Sequence, residues 1–246
     1  MINFFRKIRQ HLLSKNRFSK YLVYAIGEIL LVMIGILLAL QVNNWNQSRL
    51  DNKEESNYLN RMSEDIKGDI QYLGVEIENA KLEIDSLGIF LNRMHENQKS
   101  HLEFIKLLNL ANWNPRNIII QDETFMEMTN SGKFDLIKSN ELKSAILDYY
   151  KTKEFAYEHL ETTVDHGFSM VINLLPELSR YYNYQELKGF NIFHEDEWGW
   201  INNYKDERFK ILEGAISHFR YKAGLTRSYF EALYQKANLI LTLIND

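Results

Sequence analysis

Residues 21–42 read YLVYAIGEILLVMIGILLALQV, 22 positions carrying one charge, Glu28. As a helix rising about 1.5 Å per residue this stretch is about 33 Å long, enough to cross a hydrocarbon core of about 30 Å. Tyr21 and Tyr24 at one end and Trp45 just past the other suit the two membrane–water interfaces, where aromatic rings gather. A cleaved signal peptide is the rival reading. Its apolar region runs to about 7–15 residues and meets small residues at a cleavage site. The present run is longer and leaves through Gln41-Val42-Asn43-Asn44-Trp45. The stretch predicts an uncleaved transmembrane helix over 21–42.

Charge on either side gives the orientation. Six of the 29 basic residues and none of the 33 acidic ones fall in residues 1–20: Arg6, Lys7, Arg9, Lys15, Arg17 and Lys20. By the positive-inside rule, residues 1–20 are a cytoplasmic arm and residues 43–246 lie across the inner membrane, in the periplasm of a bacterium. Phe5, Ile8 and Leu12 share a helical face, so part of the arm is either a short amphipathic helix on the inner leaflet or a plain basic flank. With Glu28 inside the span, 23 basic and 32 acidic residues remain from position 43 onward, which argues against an outward nucleic-acid role.

The rest of the composition narrows the class. In 246 residues, 45% hydrophobic, there is material for a core and no sign of general disorder. Two Pro and 11 Gly leave little turn chemistry for an all-β fold. The chain has no Cys, which excludes disulfides, thiolate metal clusters and thiol nucleophiles.

FFRKIRQ (4–10), YAIGEI (24–29) and IGILLALQVNNWN (34–46), together with FMEMTNSGKFDLIKSNELKSAILDYY (125–150), resemble an uncharacterised family of single-span membrane proteins from Bacteroidota, known as a domain of unknown function. The resemblance covers residues 1–50 and 122–150. It implies an envelope protein of that phylum and carries over no catalytic residue.

Beyond the span the pattern is helical. Ile70, Leu73, Ile77, Ala80, Ile84, Leu87, Leu91 and Met94 alternate steps of three and four, a heptad stripe. Leu59, Met62 and Ile66 extend it with a stutter. No Pro precedes Pro115, so the span is expected to continue into this helix through 46–58. Ser100 and Glu103 form a capping-box pattern for a helix over 101–111. Residues 117–120 are ambiguous between helix and extended chain. A helix over 122–131 is expected to end at Gly132. Asn140 is expected to cap a long helix running through Leu178, kinked at Pro176. Phe209, Leu212, Ile216, Phe219, Ala223, Phe230, Leu233, Ala237, Ile240 and Ile244 mark the last helix, with Thr226 as its polar member. The expected fold is all-α: an N-terminal transmembrane helix followed by an elongated antiparallel bundle built on three helices of about 40 residues.

Catalytic spacings are missing. His95-Glu96 and His194-Glu195 begin the zinc-protease pattern, but Lys99 and Trp198 stand where its second His is required. No Glu precedes any His by three positions, as di-iron bundles require. Gly132-Lys133 lacks the upstream Gly of a phosphate loop. His159 and His166 share a helical face near Glu158, Glu161 and Asp165, a spacing that meets no metal-site rule and reads as a solvated face. No metal, cofactor or enzymatic activity is expected.

Two features remain. Glu28, Gly35 and Ala39 fall on one stripe of the span, where small residues let another helix approach and a protonated carboxyl can hydrogen-bond across the contact. The alternatives are that Glu28, about 10 Å along the helix from Tyr21, reaches the inner interface, or that it lines a proton path. Tyr181, Tyr184, Phe193, Trp198 and Trp200 crowd the connection before the last helix. They either line a ligand groove or plug the end of the bundle. The expected function is a membrane-anchored, non-enzymatic interaction or scaffold protein of the periplasm, joined to copies of itself or to another membrane protein. A ligand-binding sensor acting through a membrane partner is the alternative.

Overall fold

The computed structural model describes residues 18–96, 99–111, 118–182 and 195–245. The chain divides into two compact units, Met1–Asn57 and Tyr58–Asp246. All regular structure among the described residues is helical.

Helix α1, Phe18–Met94, runs without a break for 77 residues, as the absence of Pro predicts. In the first unit its apolar part is uncovered. Every large hydrophobic side chain from Leu22 to Val42 is exposed, and the helix is long and apolar enough to cross a membrane.

The second unit is a helical bundle. Its long members are the Tyr58–Met94 part of α1, α4 (Asn140–Val171) and α6 (Glu207–Asn245). Shorter helices lie between them: α2 (His101–Leu108), α3 (Glu123–Asn130) and α5 (Leu175–Tyr182), with 3-10 turns at Lys133–Leu136 and Glu195–Asn202. Helix α6 runs antiparallel to α4, since Asp148 pairs with Lys236, His159 with Tyr229 and Thr163 with His218. It is antiparallel to α1 as well, where Tyr72 meets Phe230, Glu83 meets Lys222 and His95 meets Glu213.

The capping box is present: the Glu103 N–H donates to the Ser100 hydroxyl, and the Ser100 N–H donates to the Glu103 carboxylate. The ambiguous stretch is not helical. Ile118 and Ile120 are buried and Ile119 between them is exposed, the alternation of an extended segment. Helix α3 is followed by Gly132 at φ 71°, the left-handed conformation that glycine enters without steric cost.

Two expectations are corrected. The cap of α4 is Ser139, not Asn140; the Ser139 hydroxyl accepts from the Leu142 N–H at 3.2 Å. Nor does α4 kink at Pro176. It ends at Val171, and Pro176 sits in the first turn of a separate helix. Proline offers no N–H to the carbonyl four residues back and its ring crowds that carbonyl, so the first turn of a new helix is where it fits.

Two apolar clusters make up the core. One joins Met62, Ile66, Leu73 and Ile77 of α1 to Tyr149, Tyr150 and Leu160 of α4 and to Phe230, Leu233, Ala237 and Ile240 of α6. The other joins Leu87, Phe90 and Met94 to Phe104, Leu108, Trp200, Phe209, Leu212, Ile216 and Phe219. At Gly167 of α4, an added Cβ would stand 2.9 Å from both His218 Cδ2 and Phe219 Cζ of α6. Replacing Gly167 by Leu is expected to cost about 1–3 kcal/mol by overpacking. Gly224→Ala, at a helical position with nothing within 4 Å of the new Cβ, is expected to gain about 0.5–1 kcal/mol from helix propensity. Denaturant unfolding of the full chain in detergent, followed by circular dichroism, reads both.

Candidate functional site

Polar side chains on the inner faces of the long helices form the most developed constellation in the bundle. Glu83 of α1 and Lys222 of α6 meet at 3.3 Å with both side chains all but inaccessible to water. Along α1 this pair falls between Ile77 of one core cluster and Leu87 of the other. Along α6 it falls between Phe219 and Phe230. Small residues, Ala80 and Ala223, are buried beside it in sequence, and the Thr226 hydroxyl donates to the Lys222 carbonyl. The core is therefore two apolar halves separated by an ionic layer.

A second buried acid ties α1 to α4. Asp69 is 1% exposed. Its Oδ1 accepts the Gln121 N–H at 2.9 Å, and its Oδ2 accepts the Tyr149 hydroxyl at 2.8 Å. The same segment is held at two further points. The Ile119 N–H donates to the Tyr72 hydroxyl, and the Tyr150 hydroxyl donates to the Gln121 carbonyl. Burial pushes the Asp69 carboxyl up to about 6, against the lowering effect of its two hydrogen bonds. Burial beside Asp69 likewise drives Tyr149 and Tyr150 well above the usual tyrosine range.

Histidines join α4 to α6. His159 Nδ1 and the Tyr229 hydroxyl lie 2.6 Å apart. His218 Nε2 donates to the Thr163 carbonyl at 2.8 Å, and the rings of His166 and His218 stand 5.2 Å apart. His159 and His166 thus each face a partner on α6 rather than one common ligand. Among the described residues no group of three or more His, Cys, Asp or Glu is placed to hold a metal ion.

At the other end of the bundle Lys99 closes α1. Its ammonium donates to the carbonyls of Met94 and Glu96, where a cation meets the negative end of the helix. Burial lowers the Lys99 pKa. The Asn202 side chain clamps Lys99, accepting its N–H and donating to its carbonyl, both at 2.9 Å.

The expected site residues are placed as follows. Gly35 and Ala39 are exposed on α1 with Glu28 on the same stripe, and an added Cβ at Gly35 would meet nothing within 4 Å. Trp200 is buried, packed edge-on against Phe104 at 5.5 Å with the Arg208 guanidinium 5.4 Å from its ring. Tyr184 and Phe193 lie outside the described residues, as do the side chains of Tyr181 and Trp198.

Sequence reading passed over Asp69, Glu83, Lys222 and Tyr149. A signal existed: Asp69 follows Ile66 by three and precedes Leu73 by four, and Glu83 stands in the same relation to Ala80 and Leu87. Charges at both core steps of a stripe mark buried polar positions. Their apolar neighbours Ile70 and Ile84 stood one place on and drew the assignment.

Residues 28–86 match a family described as "Family of unknown function (DUF6090)". The match takes in the apolar stretch from Glu28 and the stripe with Asp69 and Glu83. No curated protein and no solved structure matches the chain.

The ionic layer makes a sharp expectation. Lys222→Met leaves Glu83 as a buried charge without its cation and costs about 3–5 kcal/mol. The double variant with Glu83→Leu unfolds at or above the wild-type denaturant midpoint, because an apolar pair of similar volume replaces both charges.

Proposed function

We propose that this chain is a membrane-anchored, non-enzymatic envelope protein. In this reading residues 21–42 cross the inner membrane, and residues 43–246 form an interaction or scaffold module in the periplasm. One observation carries the anchor: every large apolar side chain between Leu22 and Val42 is exposed. In water such a surface costs about 25 cal/mol per Å², and lipid or another apolar helix removes that cost. A non-enzymatic role is supported by how the bundle uses its polar groups. Asp69, Tyr149, Glu83, Lys222, His159 and His218 are each engaged by a neighbouring helix or segment, and that engagement accounts for their placement.

Within the membrane the stripe of Glu28, Gly35 and Ala39 is the contact for a second helix, in another copy or in a different membrane protein. The basic arm sets the orientation. Because the chain has no Cys, single cysteines report contacts without background. Gly35→Cys and Ala39→Cys are expected to cross-link in native membranes, to another copy or to a neighbouring protein, and Leu37→Cys on the opposite side is not. Equal cross-linking at all three positions rejects the stripe. A reporter fused after Asp246 is expected to be active when it works outside the cytoplasm and inactive when it requires the cytoplasm, and the reverse pattern overturns the topology.

A further inference from the structure

We propose that Asp69 is a proton-operated latch on the segment 118–121. Protonating its carboxyl tightens the hold of that segment on α1 and α4, and ionising it loosens the hold.

The segment is not helical, and three of its backbone polar groups are held by side chains. Asp69 takes the Gln121 N–H, Tyr72 takes the Ile119 N–H, and Tyr150 donates to the Gln121 carbonyl. Ile118 and Ile120 anchor it in the apolar core. Of these ties, the one at Asp69 changes charge most readily.

Several groups surround that carboxyl. From α1, Asp65 stands one turn before Asp69, with Oδ2 buried and no hydrogen-bond partner among the described residues. Its charge disfavours a second carboxylate. From α4 come the hydroxyls of Tyr149 and Tyr150 and the ammonium of Lys153. Lys153 favours the ionised form but is paired with Asp122 at 2.6 Å. Asp122 itself stands next to the segment, and α6 supplies Phe230 and Leu233 to the same cluster.

No cation pairs directly with Asp69 among the described residues. Its carboxylate is held by one amide and one hydroxyl. Both bonds survive protonation. With the proton on Oδ2, the acid donates to the Tyr149 oxygen in place of accepting from it, while Oδ1 still takes the Gln121 N–H. Protonation thus removes a buried charge and keeps the geometry.

The sign follows from linkage. The folded value, about 6, lies above the ordinary Asp value of 3.8. The latch is fully effective below the ordinary value and weakens as the pH rises through the folded one. Opening the segment exposes Asp69 to water, so the opening equilibrium rises about tenfold between about pH 5 and about pH 7.5.

Hydrogen–deuterium exchange of the full chain in detergent, corrected for intrinsic rates and read on peptides that isolate Gln121, tests this. The expected result is about tenfold lower protection of Gln121 at about pH 7.5 than at about pH 5. Asp69→Asn keeps both hydrogen bonds without a charge and is expected to hold acid-like protection at both pH values. Asp122→Asn, which removes the acid beside the segment and frees Lys153, is expected to keep a pH response of the same sign, smaller because the freed ammonium favours the ionised Asp69. Wild-type protection that does not change with pH overturns the proposal, as does a pH response that persists in Asp69→Asn or disappears in Asp122→Asn. Should Asp69→Asn fail to fold, the wild-type infrared spectrum decides. A protonated carboxyl band that fades with a midpoint near the folded value supports the latch, and no such band at about pH 5 rejects it.

Discussion

Glu83 and Lys222 meet between two apolar clusters, and this contact constrains how α1 and α6 can pack. Two opposite charges taken out of water regain only part of their desolvation cost by facing each other, so the contact fixes an arrangement more than it adds stability. Sliding α6 by one turn against α1 would set Lys222 against an apolar layer and strand Glu83. Stranding a buried charge costs several kcal/mol, a large part of a domain's stability. The flanking layers could be filled by many apolar combinations of suitable volume. The ionic layer tolerates one register, and the small neighbours Ala80 and Ala223 leave space for two long side chains.

The same logic recurs on the other sides of the bundle. Asp69 with Tyr149 joins α1 to α4, and His218 with the Thr163 carbonyl, beside His159 with Tyr229, joins α4 to α6. Each pair of long helices therefore has a directional tie within or beside its apolar contact. Hydrophobic burial is non-directional and drives association. Hydrogen bonds and ion pairs add little net stability, but they penalise arrangements that leave them unmade. The buried carboxyl of Asp69 goes further than a structural tie requires, because burial raises it to about 6, close to neutral pH. That shift gives the segment 118–121 a stability that varies with pH.

Much of the fold was legible in the chain. The capping box at Ser100 and Glu103, the left-handed Gly132 and the last helix are set by neighbours within a few residues, and each appears where the spacing puts it; the stripe of α1 holds at Leu73, Ile77, Ala80, Leu87 and Met94, while Asp69, Glu83 and Phe90 are buried in place of Ile70, Ile84 and Leu91. Where reading failed, the competing choices were local equals. Ser139 and Asn140 are both good caps, and it is the serine whose backbone is extended, at φ −72° and ψ 113°, as a cap requires. Pro176 can kink a helix or begin one, and the chain after Val171 begins one. Ile84 and Glu83 both lie near the buried stripe. An aliphatic side chain beside a charged one attracts the assignment until the opposing Lys222 is known.

The sequence by itself determined the all-helical class, the apolar span at 21–42 and most helix ends, because hydrophobic period, proline and capping act over one or two turns. Tertiary structure alone decided which polar residues enter the core. Whether Asp69 or Glu83 faces water depends on a partner 80 or 139 residues away that can satisfy it. No local pattern carries that information, since the free energy of burying a charge is set by what stands across from it.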